Sequence, residues 1–378
     1  MEQRIILLEN DYQTMLNYLR NLACRHALIV HGASLRQLAV GQMLLNLPKT
    51  IGIEVTEFTD FHPNPDIESA VKGAELCIRK QCDFIIACGG GSAMDVAKCI
   101  RLFVAGDIRD VASYDEKLLM KHNYMPFVAV PTTAGTGSEA TCFAVAYQQG
   151  KKISVVGPHN IPQTVIYDCR VLDTLPSLQK QATFADAMCH AMEAYWSKGA
   201  TSESRLYSRE AIRLLLASWK YVQNEGNSNY NMTMFLAAYY AGKAINIAKT
   251  TAAHAMCYGL TKQYGLAHGQ AAGRILLYIG NDLERKAKDN VALQQTLQEL
   301  AAMWGEEGFI EVMVKWKDWL TRWGMLEPLS LGQEREMAER LLQTVNVERM
   351  QNHPVKLSQA EVTSLYEKIL QGKELLCM

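Results

Sequence analysis

No stretch of this 378-residue chain approaches the roughly 18 consecutive apolar residues of a membrane span. The opening Met1-Glu-Gln-Arg-Ile-Ile-Leu-Leu-Glu-Asn10 also lacks the apolar run and cleavage site of a secretory leader. The expectation is a cytoplasmic chain with no membrane partner. Excess charge is missing too. The 38 basic and 39 acidic side chains leave a formal net charge of −1, which gives no support for a nucleic-acid binder. There is no Cys-x-x-Cys pair. The ten cysteines are scattered, and several (Cys88, Cys99, Cys257) sit inside apolar runs, as reduced buried thiols do. Neither the Gly-x-Gly-x-x-Gly dinucleotide fingerprint nor a Gly-x-x-x-x-Gly-Lys phosphate loop occurs, and there is no internal repeat or low-complexity tract. What remains is globular in composition, 49% apolar and 20% charged, which argues against a disordered or fibrous chain. The length exceeds the roughly 250–300 residues over which one core grows, so two domains are expected.

The chain changes character partway along. Ala27-Leu-Ile-Val30, Glu54–Phe58, Asp83–Cys88, Pro126–Val130 and Thr164–Tyr167 read as buried strands, with helical patterns at 65–81 and 92–104 between them. That rhythm predicts a mainly parallel sheet with helices on its faces. Beyond about residue 178 the strand signal fades. Segments 181–198, 202–223, 230–248, 252–264, 290–304, 308–323, 332–344 and 358–371 read as helices, with a loop at 224–229. The predicted organisation is an α/β domain over 1–178 and an all-helical domain over 179–378.

Two segments suit a nucleotide. Gly89-Gly-Gly-Ser92 ends a strand and opens a helix, so the backbone can come close to a phosphate lying at a helix N-terminus. Ser92 and Asp95 have the spacing of a helix-capping pair. Alone, this is equally a tight turn between strand and helix. Pro131-Thr-Thr-Ala-Gly-Thr-Gly-Ser-Glu-Ala-Thr141 follows another strand and is dense in hydroxyls and glycines. Two such loops at the carboxyl ends of parallel strands fall where α/β sheets bind ligands.

The helical half carries Asp186 and His190, four apart and so on one helix face. His254 and His268 follow, the latter within Gly265–Gln270, a stretch that breaks one helix before the next begins. One carboxylate with three imidazoles suits a borderline divalent metal such as Fe(II) or Zn(II). Any one of these histidines alone would more commonly be a packed or capping residue.

In this order, Gly-Gly-Gly-Ser-x-x-Asp-x-x-Lys at 89–98, Pro-Thr-Thr-x-Gly-Thr-Gly-Ser-Glu at 131–139, Asp186 with His190, and His254 with His268 resemble the iron-containing (group III) alcohol dehydrogenases. Asn64-Pro65, residues 158–162 and His190–Tyr195 share the likeness, which covers nearly the whole chain. The resemblance implies a dinucleotide domain followed by a helical metal domain, with the active site in the cleft between them. It implies Asp186, His190, His254 and His268 as metal ligands, with Fe(II) the expected metal and zinc used by some relatives. Gly90, Gly91, Ser92, Asp95, Thr132, Thr133 and Thr136 match the cofactor loops, and Asn64 and Lys152 match further positions near the cofactor. The implied chemistry is hydride transfer between NADH or NADPH and a small aldehyde or alcohol.

The chain departs from the family pattern at three places. Gly32 stands where NAD-preferring relatives often carry an Asp that would repel a 2′-phosphate, which leaves NADPH open. Tyr258 stands four after His254 where many relatives have His, and is either a proton-relay hydroxyl or a packed ring. Lys249-Thr250-Thr251 replaces small apolar residues before His254. Thr250 is four before His254 and is expected to share its helix face, with Lys249 and Thr251 flanking it, and this cation with its hydroxyls suits an anionic substrate group. The run 249–258 and Glu193–Ser197 look similar to phosphonoacetaldehyde reductases, and sulfoacetaldehyde reduction is a chemical neighbour. Competing classes are a neutral short-chain alcohol dehydrogenase, a dehydroquinate synthase-like lyase, and a non-catalytic metal or nucleotide sensor. The physiological metal and direction stay open, as does the oligomeric state, with a homodimer one assembly available to it.

Overall fold

The computed structural model describes residues 3–8, 11–62, 65–106, 124–148, 151–223, 228–329 and 332–372. It divides into two compact units, Met1–Leu175 with Asn227–Phe235, and Pro176–Gly226 with Leu236–Met378. No helix among the described residues is long and apolar enough to cross a membrane.

The first unit is built on β1 (Arg4–Leu8), β2 (His26–His31), β3 (Glu54–Phe58), β4 (Phe84–Gly89), β5 (Phe127–Pro131) and β8 (Thr164–Asp168). They form one six-stranded sheet in the order β1-β8-β5-β4-β2-β3, with every pairing parallel. β4 and β5 are buried at every residue, which is why they read as continuous apolar runs rather than alternations. From β2 the chain steps outward to β3, then returns to β4 on the other side of β2. That reversal creates a crevice outside the carboxyl ends of β2 and β4, the place where such sheets take ligands.

Two pieces of strand escape the sequence reading. β1 is an edge strand with Leu7 44% exposed, so it lacks the uniformly apolar look of its neighbours. β6 (Phe143–Gln148) and β7 (Lys151–Val156) pair antiparallel as a separate hairpin. Residues 228–235 join this unit through Asn231, whose side-chain amide donates to the Cys169 carbonyl (2.9 Å) and to Asp173 (2.6 Å).

The second unit is helical. Its helix Ser177–Trp196 is buried at every residue from Ala182 to Trp196, which leaves it only one small polar end. Helix Ala252–Tyr264 and helix His268–Ala287 pack with it. His268–Ala287, twenty residues long, is the largest element not predicted from the sequence. Gly269, Gly273 and Gly280 weaken its helical signal, yet they are what let it pack. A Cβ on Gly269 would lie 1.8 Å from the Ala182 carbonyl oxygen and 2.8 Å from Asp186 Cβ. The missing side chain therefore brings the first turn of one helix directly onto the middle of the other.

Gly269→Ala should cost on the order of 3 kcal/mol, because backbone of the neighbouring helix would have to move. Gly280→Ala meets the flexible Met313 side chain instead and should cost about 1 kcal/mol. Denaturant unfolding of both variants measures the difference. Equal small losses would show that the 182–186 backbone yields easily.

Candidate metal centre and nucleotide loops

Asp186, His190 and Glu193 occupy one helix face at successive spacings of four and three. All three are buried. Helix Ala252–Tyr264 supplies His254, also buried, and the ligand atoms of Asp186, His190 and His254 lie within 4.8 Å of one another. The His190 and His254 rings stack at 4.4 Å between centroids. His268, the first residue of its helix, places Nε2 3.8 Å from Asp186 Oδ1, and its side chain is 39% exposed. The structure thus brings together all four residues predicted as ligands, three enclosed and one open to solvent.

Glu193 organises the group, and the sequence reading gave it no role. Its Oε1 accepts from the Thr251 N–H (3.0 Å), the Thr251 hydroxyl (2.6 Å) and the Ala253 N–H (2.8 Å), so it closes the open end of helix Ala252–Tyr264. Its Oε2 pairs with His254 Nδ1. His254 Nε2 is then turned toward Asp186 Oδ1, 3.3 Å away. The available signal was the polar stripe 186, 190, 193 on an otherwise apolar helix.

The electrostatics match. Burial alone would raise the Asp186 carboxyl, but His190, His254 and His268 outweigh it and hold it far below the usual carboxylate range. Burial pushes the His190 imidazole down to about 4, against the pull of Asp186. Burial also opposes charge on His254, yet Glu193 and Asp186 on its two sides overcome this and raise it. His190 Nδ1 is buried with no hydrogen-bond partner. A buried orphan nitrogen, a carboxylate kept ionised and an imidazole whose far nitrogen is fixed by a second carboxylate form a donor set that fits a divalent transition metal.

In the first unit the two predicted loops touch. The Thr132 N–H donates to the Gly89 carbonyl at 3.0 Å. A Cβ on Gly90 would lie 3.0 Å from Thr133 Oγ1, and one on Gly91 would lie 3.0 Å from Thr136 Cγ2, so both glycines are needed for this approach. Helix Gly91–Ala105 starts there, at the crevice edge, with free N–H groups. Ser92 and Asp95 do not form a capping pair: Gly90 is the N-cap and makes no side-chain cap. Asp95 instead accepts from Ser138 Oγ (2.8 Å) and the Val145 N–H (3.2 Å), because the second loop folds back over the helix. Lys98, fully buried, donates to the Ser138 carbonyl and hydroxyl, Thr141 Oγ1 and the Phe143 carbonyl. Asp95 and Lys98 thus hold the second loop from beneath. Gly32 directly follows β2, and a Cβ there would meet nothing within 4 Å. Asn64 lies outside the described residues, and Lys152 sits on β7 opposite Tyr147.

The substrate candidates are rearranged. Thr250 does not share a helix face with His254. Helix Ala252–Tyr264 begins after it, because Lys249 takes a left-handed conformation (φ 61°) and turns the chain between helices. Lys249 is exposed, with Nζ on the Asn246 carbonyl. Thr250 is buried with Oγ1 unpartnered, and Thr251 works through Glu193. The Tyr258 hydroxyl accepts from Arg349 Nη1, and its ring stacks on His268 at 5.5 Å.

Residues 2–169 match the iron-containing alcohol dehydrogenase family model, and residues 180–370 match the C-terminal model of the Fe-containing alcohol dehydrogenase family. The chain belongs to the iron-containing alcohol dehydrogenases. It is therefore an oxidoreductase. It is 32% identical to a 1,3-propanediol dehydrogenase of Klebsiella pneumoniae over 68% of each chain. It is 30% identical to an NADPH-dependent butanol dehydrogenase of Clostridium saccharobutylicum over 72% of this chain and 73% of that protein. The solved structure of a sulfoacetaldehyde reductase from Bifidobacterium kashiwanohense in complex with NAD+ superposes with a TM-score of 0.83 at 26% identity, covering 97% of both chains.

Two outcomes are expected of this iron-type dehydrogenase. Glu193→Gln should weaken metal binding about 10- to 100-fold, since a carboxylate behind a ligand histidine fixes its orientation and basicity. His268→Ala should lose metal and turnover while keeping its circular dichroism. Elemental analysis after dialysis reads both, and full metal content in either variant would remove that residue from the site.

Metal uptake should also release protons, the more so the lower the pH. His190, at about 4, contributes little near neutrality, whereas His254 is raised and holds its proton more firmly than an ordinary imidazole, so it is the main source of any proton the metal displaces. Affinity should accordingly climb as pH rises through the His254 titration. Calorimetry in buffers of different ionisation enthalpy counts the proton, and no buffer dependence would contradict the assignment.

Proposed function

We propose that this dehydrogenase interconverts a small anionic aldehyde, such as phosphonoacetaldehyde or sulfoacetaldehyde, and its alcohol, using NADH or NADPH and a divalent iron (zinc as the substitute metal). The carrying observation is the buried group Asp186, His190 and His254 backed by Glu193, beside solvent-open His268. The anionic part of the reading is supported by the whole-chain likeness to the sulfoacetaldehyde reductase and by the buried, unpartnered Thr250 hydroxyl just before the His254 helix. Free thiols at all nine described cysteines suit a reducing, cytoplasmic setting.

When bound, the iron supplies Lewis acidity toward a carbonyl oxygen and the nicotinamide supplies the hydride. The protein's part is positional. Asp186, His190, His254 and His268 hold the metal, and Glu193 keeps His254 Nε2 aimed inward. Gly90, Gly91 and Ser92 offer N–H groups to the pyrophosphate at the start of their helix, with Thr132, Thr133 and Thr136 beside them. Asp95 and Lys98 keep those hydroxyls in place. The product's proton is drawn from solvent on the exposed side, at His268.

The test is a panel of aldehydes with both reduced nicotinamides and the iron-loaded enzyme. Anionic aldehydes should exceed propanal in kcat/KM by at least about tenfold, and preference for propanal would overturn the substrate class. Gly32→Asp should fit without clash and lower NADPH efficiency by roughly tenfold, because a carboxylate would face the 2′-phosphate. An unchanged NADPH to NADH ratio would place the adenosine ribose elsewhere.

A further inference from the structure

Arg349 lies on the short helix Val347–Gln351, far in sequence from every residue of the metal group. Hydrogen bonds lace this segment along the start of helix Ala252–Tyr264. The Asn346 N–H donates to the Ala255 carbonyl (3.0 Å), and the Asn352 amide donates to the Ala248 (2.8 Å) and Thr250 (3.1 Å) carbonyls. Arg349 sits between these two anchors. Its Nη1 donates to the Tyr258 hydroxyl, and its guanidinium lies 5.4 Å from that ring's centroid. The other face of the same neighbourhood is His268, stacked on Tyr258.

Arg349 is half-buried and makes no ion pair among the described residues. By contrast, Arg285 and Lys286 of the same unit are paired with Asp282, and Lys286 also with Glu361. A guanidinium carries five donors in a planar fork that matches a tetrahedral or planar oxyanion. One donor is used on Tyr258, which fixes the fork's position and leaves the others available. Thr250 Oγ1, buried and unpartnered, adds a hydroxyl on the loop that Asn352 ties to the same segment.

We propose that Arg349, held by Tyr258, binds the anionic group of the substrate, a phosphonate or sulfonate, in place of the exposed Lys249. This rests on the aldehyde-reductase reading given above. A short substrate then spans from the guanidinium fork to the metal group, with its carbonyl at the metal end. Tyr258 is a positioning residue for Arg349, which accounts for a tyrosine stacked on a metal-ligand candidate.

The experiment compares wild type, Arg349→Ala, Arg349→Lys and Lys249→Ala, each iron-loaded, on phosphonoacetaldehyde, sulfoacetaldehyde and propanal. Calorimetric binding of phosphonoacetate, which cannot be reduced as an aldehyde, gives a readout independent of turnover. Arg349→Ala should lower kcat/KM for both anionic aldehydes by about 10- to 100-fold, chiefly through KM, and weaken phosphonoacetate binding equally. Propanal should change less than about threefold. Arg349→Lys should recover part of the loss, since it keeps the charge without the fork. Equal losses on propanal would mean that Arg349 acts on the metal group through Tyr258 and would overturn the assignment. So would a loss found in Lys249→Ala and absent from Arg349→Ala. If wild type turns over none of the three aldehydes, the reductase reading itself fails. If it turns over propanal alone, the anionic class fails and this assignment with it.

Discussion

The candidate metal centre depends above all on the bonds that the carboxylate of Glu193 makes. One oxygen closes the N-terminus of helix Ala252–Tyr264, and the other orients His254. A buried charge of this kind is costly unless every lone pair is used, and here four donors use them. Burial would raise this carboxyl, but His254, Thr251 and the Ala253 N–H outweigh it and keep it ionised. The same group therefore solves two problems at once: where the helix begins, and which nitrogen of its histidine faces inward. Trp196 extends the arrangement by donating to Thr251 Oγ1 at 3.0 Å, so the capping loop is held from both of its polar ends.

The candidate nucleotide loops are built on the opposite logic. There the surface proposed for the cofactor is backbone and hydroxyl, and the charged side chains lie underneath it. Lys98 reaches three oxygens of the second loop and the Phe143 carbonyl at the start of β6 from full burial, and burial pushes its ammonium pKa down. Glu139, on that loop, is raised by burial even though the Tyr167 hydroxyl supports its charge. Such an interior resists rearrangement, which suits a loop that must present fixed donors to a flexible cofactor.

Local patterns were the legible part of the sequence. Asp186 and His190 announce themselves through helical spacing, and β4 with its glycine turn through an apolar run that stops at three glycines. The parallel sheet and the helical second unit followed from the same periodicities. What could not be read depends on long-range packing. Helix His268–Ala287 was hidden because its glycines serve a neighbour, not the helix itself. The placement of Thr250 went wrong because the left-handed turn at Lys249, a residue that rarely adopts one, decides where the next helix starts. Arg349 gave no signal at all, since its contacts to Tyr258 cross 91 residues of chain.

The separation between Asp186 and His268 has a consequence for how the protein matures. During synthesis the first ligand candidates emerge well before the last, and His268 reaches Asp186 only after the glycine-bearing helix has docked on its neighbour. No intermediate chain length offers the full donor set to a passing ion. The complete set of four candidate donors is therefore present only once the helical unit has closed, so chelation by all four and packing of this unit are thermodynamically one event.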